Sequence, residues 1–342
     1  MRLWSGCNLQ PSLRNDQYEL ISYVQASGCE KIKLGQKGIC RFCGNTQATS
    51  FRKTAHTFPE GIGNRWITSL DECDECNSSR FSKFDDALCA SIGPILTIGG
   101  TKGKSNKVRQ SGRTRGSHSI KHHNSDGKRR ISVNLLDKAK GVSTPLGTSL
   151  SFTPDGMMFT QIPTPNESFV PRDAYKCLVK CGLALMPIEE LVHFSRLLEW
   201  IIRPDESREF PYLDVGIALG SIGNAPGLVS GAVLRRRNGV YDGPYAIFIM
   251  CAGSVCWQIL LAADDLDEGR LLPGFGQINF VWKNVLGPPD AKQIEIVYSQ
   301  PQHFDWSSRT SCLTPVSSIL GKNDLTSGAA SFDVSWREMH PQ

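Results

Sequence analysis

Several common sources of function are missing from this sequence. The opening residues, MRLWSGCNLQPSL, hold no apolar run long enough for the hydrophobic region of a secretory signal, so a reducing cytoplasm is the expected compartment. No repeat period runs along the chain, which excludes solenoids and propellers. A phosphate-binding loop is approached at Gly99-Gly100-Thr101-Lys102-Gly103-Lys104-Ser105, but Ile98 stands where the first glycine belongs and no helical pattern follows. A membrane span has one candidate, the 19 uncharged residues from Tyr245 to Ala263. That stretch divides at Ala252-Gly253-Ser254 into two β-branched and aromatic runs, and Asn238-Gly239 upstream is a hairpin signal, so a buried antiparallel pair and no membrane partner are expected. Disulfide stapling is also disfavoured, because 12 cysteines are diluted over 342 residues and four of them form two C-x-x-C pairs.

What is present begins with size and charge. A chain of this length, 40% hydrophobic, can build more than one core. Its net charge is only +5, yet residues 101–140 carry 12 Lys and Arg against Asp126 and Asp137. That segment is rich in Gly, Ser, Asn and His and poor in large apolar residues, so it reads as a flexible basic arm. Phosphate is its natural partner, through Lys102, Lys104, Lys107, Arg109, Arg113 and Arg115; the alternative is a solvated linker. Four regions follow: a lead-in over 1–30 with one helical stretch around Tyr18 to Val24, a cysteine-bearing module over 31–100, the basic arm over 101–150, and an α+β unit over 151–342. In the last, apolar spacing predicts two helices between Asp173 and Ile202 divided at Pro187, then β-rich runs from Leu213 to Tyr298. Cys177, Cys181, His193 and His303 suggest no catalytic grouping, and the two cysteines, one helical turn apart, read as core.

The chemistry concentrates in the cysteine module. Cys40, Cys43, Cys73 and Cys76 form two knuckles separated by 29 residues, and four thiolates from two knuckles hold a structural zinc ion without strain. The insert reads as two strands, Ser50 to Phe58 and Arg65 to Leu70, joined by the turn-forming Pro59-Glu60-Gly61-Ile62-Gly63-Asn64. After the second knuckle, Phe81, Phe84, Leu88 and Ile92 fall on one helix face, and Gly93-Pro94 ends the run.

These residues, C-R-F-C-G, A-H-T-F-P-E-G-I-G-N and C-D-E-C-N, resemble the zinc-containing bacterial branch of the HNH endonuclease superfamily over about 38–92. The resemblance implies a ββα-metal fold within an overall α+β architecture and metal-dependent hydrolysis of DNA, with double-stranded DNA as partner. It implies His56 as general base, Asn77 as ligand of a catalytic divalent cation, Mg²⁺ or Mn²⁺, and zinc on the four cysteines. Two positions depart from the pattern: Ala55 stands where an acid or His often binds the cation, and Thr68 where a central Asn is expected. Asn64 is a displaced substitute, and Glu60, Asp71 or Asp74 are candidates to complete the cation site. The alternative reading is a catalytically inactive, zinc-stabilised nucleic-acid-binding module.

Overall fold

A computed structural model of the chain describes residues 17–26, 28, 30–112, 119–125, 128–134, 149–163, 167–203, 215–219, 229–240, 243–253, 255–268, 305–313, 316–324, 326 and 329–336. The helix expected around Tyr18 to Val24 is instead a strand, β1 (Tyr18–Gln25). Its main chain pairs antiparallel with residues 230–236, and so distant a partner overrides the local pattern. The cysteine module then forms β2 (Ile32–Leu34), β3 (Ala55–His56) and β4 (Ile67–Ser69), with β4 in the middle, β2 parallel to it and β3 antiparallel. The expected pair β3 and β4 is present but shorter than the sequence suggests, and β2, only three residues long, has no signature in the sequence.

Two helices follow, α1 (Ser82–Ser91) and α2 (Gly93–Ile98). Phe81, Phe84, Leu88 and Ile92 are all buried, as one apolar face requires. Gly93-Pro94 does end α1, and Pro94 also opens α2, because a proline's missing N–H is no loss in a first turn.

In its described residues the basic segment is not the flexible arm expected of it. It forms β5 (Ser111–Gly112), β6 (Ser119–Ser125) and β7 (Lys128–Asn134), an antiparallel sheet. Its few apolar residues suffice because strand alternation gathers them: Ile120 is fully buried, and Ile131 packs against the same core.

Further on lie β8 (Ser149–Phe152), β9 (Met157–Pro163), β10 (Ser168–Phe169), α3 (Pro171–Leu185), α4 (Ser195–Ile202), β11 (Val215–Leu219), β12 (Val229–Arg236), β13 (Ala246–Ala252), β14 (Val255–Leu261), β15 (Cys312–Leu313), β16 (Val316–Asp324) and β17 (Ala329–Trp336). The two helices expected between Asp173 and Ile202 are α3 and α4, and Pro187 lies between them. Tyr245 to Ala263 supplies the hairpin β13–β14, and among the described residues no helix is long and apolar enough to cross a membrane. The remaining expected β-rich stretch, 269–298, and His303 lie outside the described residues.

The central layer is a five-stranded antiparallel sheet ordered β1-β12-β13-β14-β11, and α3 packs between it and α1. Gly182 permits that approach, since a Cβ there would meet Phe248 and Leu261 side chains at 3.0 Å. Cys177 and Cys181 are fully buried on α3, in the core role the sequence assigns them. One continuous cluster of buried side chains runs from the cysteine module through α3 to the sheet.

Candidate functional site

The two knuckles are built by hydrogen bonds that leave their sulfurs facing one another. The Gly44 amide donates to the Cys40 carbonyl (2.8 Å), and Gly44 takes the left-handed φ of 70° that closes the first knuckle. The Arg41 amide donates to the Asp71 carbonyl (2.8 Å), so the second knuckle is fastened to the first. Cys40 Sγ and Cys76 Sγ are 3.9 Å apart, Cys43 Sγ and Cys73 Sγ 3.6 Å, and all four sulfurs lie within 4.8 Å of one another. A tetrahedron with Zn–S bonds of about 2.3 Å has edges of roughly 3.8 Å, so the four residues fit zinc.

Their ionisation argues the same way. A hydrogen bond from Cys76 lowers Cys40 to about 4, burial raises Cys73 to about 11, and Cys76 is pushed far up by its bond to Cys40 and by burial. Four sulfurs this close cannot all ionise unaided, and a divalent cation removes the conflict. The Cys73 amide, directed at Cys40 Sγ (3.4 Å), gives that sulfur further support.

His56 ends β3, directly opposite Thr68 of β4. Thr68 therefore faces His56 from the neighbouring strand, and its hydroxyl is spent on the Ile32 carbonyl (3.2 Å). Asn64 is fully buried and saturated: its Nδ2 donates to the Phe58 and Ile67 carbonyls (both 2.8 Å), and its Oδ1 accepts from the Ile67 amide (2.9 Å) and the Trp66 amide (3.3 Å). It clamps the turn between β3 and β4 and has no lone pair aimed at a cation. Ala55 is buried, with 1% exposure.

The His56 ring is part-exposed at 23%, with Nε2 3.9 Å from Glu60 Oε2, an electrostatic neighbour beyond hydrogen-bond reach. Burial lowers its pKa below the ordinary histidine value; Glu60 and Asp85 oppose that shift, while Lys180 and Lys31 reinforce it. Neutral imidazole at pH 7 is the result. Its main-chain carbonyl accepts from Lys180 Nζ at 2.7 Å, a partner that nothing in the sequence pattern singles out.

Asn77 sits in a π-turn, Cys76–Arg80, that leads into α1; its amide donates to the Cys73 carbonyl (2.9 Å) and its Nδ2 to the Thr54 carbonyl (3.2 Å). The second knuckle is thus tied to the strand bearing His56. Among the described residues no donor occupies Asn77 Oδ1.

The three acids considered for the cation separate clearly. Asp71 is buried, with Oδ2 taken by Arg41 (2.7 and 2.9 Å) and Oδ1 by the Ser69 hydroxyl (2.8 Å). Asp74 caps the preceding loop, accepting from the Lys53 amide (2.8 Å) and the Arg52 amide (3.3 Å). Glu60 alone of the three stands beside His56. Among the described residues the four cysteines are the one group of three or more preassembled metal-binding side chains.

The basic segment reaches this site. Gly103 packs so closely on the turn after β3 that a Cβ there would meet Gly61 Cα at 3.1 Å and the Glu60 carbonyl at 3.4 Å. Arg65 donates to Asn106 Oδ1 (2.8 Å) across the same junction. Lys102 and Lys107 are exposed on that loop. Arg109 is instead paired with Glu167 at 2.8 Å, which the sequence did not reveal. Lys104 lies in the same loop, and Arg113 and Arg115 fall outside the described residues.

Residues 40–92 match the family model of the HNH endonucleases. No curated protein and no solved structure matches the chain significantly.

Proposed function

From the premise that residues 40–92 are an HNH endonuclease module, we propose that this protein is a metal-dependent endonuclease hydrolysing phosphodiester bonds of double-stranded DNA, with His56 as general base. The observation that carries the reading is the placement of His56: a part-exposed, neutral imidazole at the end of β3, held beside Glu60 and linked through Thr54 and Asn77 to the zinc knuckle. The strand, strand and helix around it support that reading.

In this reading His56 takes a proton from water as the oxygen bonds to phosphorus, and the P–O bond to the leaving oxygen breaks. A bound Mg²⁺ or Mn²⁺ supplies Lewis-acid stabilisation of charge on the scissile phosphate and the leaving oxygen. Asn77 Oδ1 and the Glu60 carboxylate are the groups that would hold it, with substrate phosphate and water completing the shell. Zinc on Cys40, Cys43, Cys73 and Cys76 fixes the turn bearing Asn77. Lys102 and Lys107, on the loop against Glu60 and Gly61, supply charge for the DNA backbone.

The test is plasmid nicking by wild type and His56→Ala, with Mg²⁺ or Mn²⁺ supplied or removed by a chelator too weak to strip the cysteines. His56→Ala is expected to keep zinc and DNA affinity while losing about 10² to 10⁴ in rate. Wild type that binds DNA but cuts it with no divalent ion defeats the proposal.

A further inference from the structure

The HNH module is not closed on itself. Lys180 comes from α3, far beyond residue 92, yet it lies with 1% side-chain exposure beneath the base. Its Nζ donates to the His56 carbonyl at 2.7 Å and lies 3.4 Å from Glu72 Oε2, whose side chain is completely buried. Glu72 immediately precedes the zinc ligand Cys73, and neither of its carboxylate oxygens makes a hydrogen bond. Asp85, on α1, adds a second acid to the same pocket and accepts from Cys177 Sγ at 3.4 Å.

A buried ammonium is costly unless paired, and a core role would be filled as well by an apolar side chain. Burial works against the charge of Lys180, but Glu72 and Asp85 outweigh it, and the ammonium is held above its ordinary range. Its shortest contact is spent on the main chain of His56.

We propose that Lys180 is a positioning residue for His56: from outside the HNH module it holds the carbonyl of the base and ties it, through Glu72, to the zinc knuckle. This rests on the nuclease reading above. The His56 ring is carried by a strand of only two residues, β3, and the Thr57 amide bonds to the Ile67 carbonyl at 3.2 Å on the β4 side. Lys180 holds the carbonyl of that same peptide from the α3 side, so the peptide that follows the base is held from both directions. The groups facing His56 are Glu60 from its own loop, Lys180 from α3, Asp85 from α1 and Lys31 from the segment before β2.

The test uses full-length protein carrying Lys180→Met with Glu72→Gln, so that the Glu72 carboxylate is not left without its cation while Asp85 keeps its bond from Cys177. His56–Thr57 is the sole His–Thr step in the chain, so ¹³C-carbonyl histidine combined with ¹⁵N threonine gives a single NMR cross-peak across that peptide bond. Glu72→Gln alone is the reference. The double variant is expected to keep its zinc and DNA affinity, to move that peak, and to lose between tenfold and about a hundredfold in nicking rate at saturating DNA. Its acid limb in the rate profile is expected to move to higher pH, because a cation near the imidazole has been removed. If the double variant fails to load zinc, Lys180→Gln with Glu72→Gln, which keeps a polar head in the pocket, takes its place. A zinc-loaded variant with a stationary peak, or with an unchanged turnover rate and acid limb, overturns the proposal. Failure of wild type to cut DNA is a separate outcome: it removes the nuclease reading, and the positioning role falls with it.

Discussion

Asn64 shapes the turn beside the candidate site without facing its chemistry. Its amide satisfies two carbonyls and accepts from two main-chain amides inside a turn that also contains Pro59, Gly61 and Gly63. Asn64→Ala leaves several buried groups unpaired at about 1–3 kcal/mol each before relaxation, so a loss of roughly 3 kcal/mol is expected, read as a lower melting temperature with zinc retained. An unchanged melting curve would show that water replaces the amide. His56 yields a pH prediction at the same scale. Burial depresses its folded pKa below the ordinary value of 6.5, so the base is free at neutrality and nicking should stay on its plateau down through pH 6.5, falling only below it. A plateau that begins above pH 7 would assign the base elsewhere. The cysteine cluster is legible because ligand spacing is a local property of a sequence, and His56 is proposed from its motif position for the same reason. The roles of Asn64 and Lys180 are not, since an amide and a lysine on an apolar helix acquire their roles from what the fold brings against them, and of the three candidate acids only the fold sets Glu60 beside His56. Lys180 in particular interrupts a run that reads as core, and only the packing of α3 on α1 shows which carbonyl and which acid it meets.

Among the elements, the basic sheet changes how the role of its charge has to be tested. Deleting residues 101–130 would remove β6 and with it the fully buried Ile120, so a flattened salt dependence could reflect damage to the fold instead of weaker phosphate binding. Lys102→Gln with Lys107→Gln removes exposed charge from the loop beside Glu60 and leaves the strands intact. Each phosphate that is no longer neutralised should reduce the slope of log affinity against log salt by about 0.9, so a change of nearly two is expected of the pair. A slope unchanged by both substitutions would leave the loop as a solvated connection. The strands themselves are hidden by composition. β6 reads SIKHHNS and β7 KRRISVN, and neither alone reaches the density of apolar residues that marks a strand. Once they are paired, Ile120 stands opposite Val133 and His122 opposite Ile131, and a face emerges that neither strand displays alone. β13 and β14 are legible for the opposite reason: both are uncharged and, Gln258 apart, apolar, and both end at turn residues, so their pairing needs no distant partner.

At the scale of the whole molecule, the zinc knuckle and the central sheet share one core, and this changes what loss of the metal should do. A module with its own core would unfold by itself, but here several connections run out of it, and three bear most directly on the knuckles and the sheet. Phe58 stacks on Phe248 of β13 with ring centroids 6.3 Å apart. Arg41, from the first knuckle, donates to the Leu183 and Met186 carbonyls at the end of α3 (2.8 and 3.0 Å) while holding Asp71 of the second. Glu72 and Lys180 form the third, an ion pair with almost no exposure. Structural zinc contributes about 10–16 kcal/mol of apparent binding free energy in small zinc modules, comparable with or larger than the roughly 5–15 kcal/mol that holds a whole domain folded. Cys73→Ser should therefore abolish the expected stoichiometry of one zinc per chain, and its effect should not stop at residue 92. Once the knuckles open, Arg41 and Glu72 lose their fixed positions, the end of α3 loses its cap, and Lys180 is left as a buried cation without its partner. Hydrogen exchange measured peptide by peptide is the direct check: protection should fall in β12, β13 and β14 as well as in residues 40–92, and thermal unfolding of the wild type should show a single transition that chelation of the zinc moves as a whole. If β13 and β14 of Cys73→Ser exchange as slowly as in wild type while residues 40–92 are open, the shared core does not couple the two, and the sheet stands on its own.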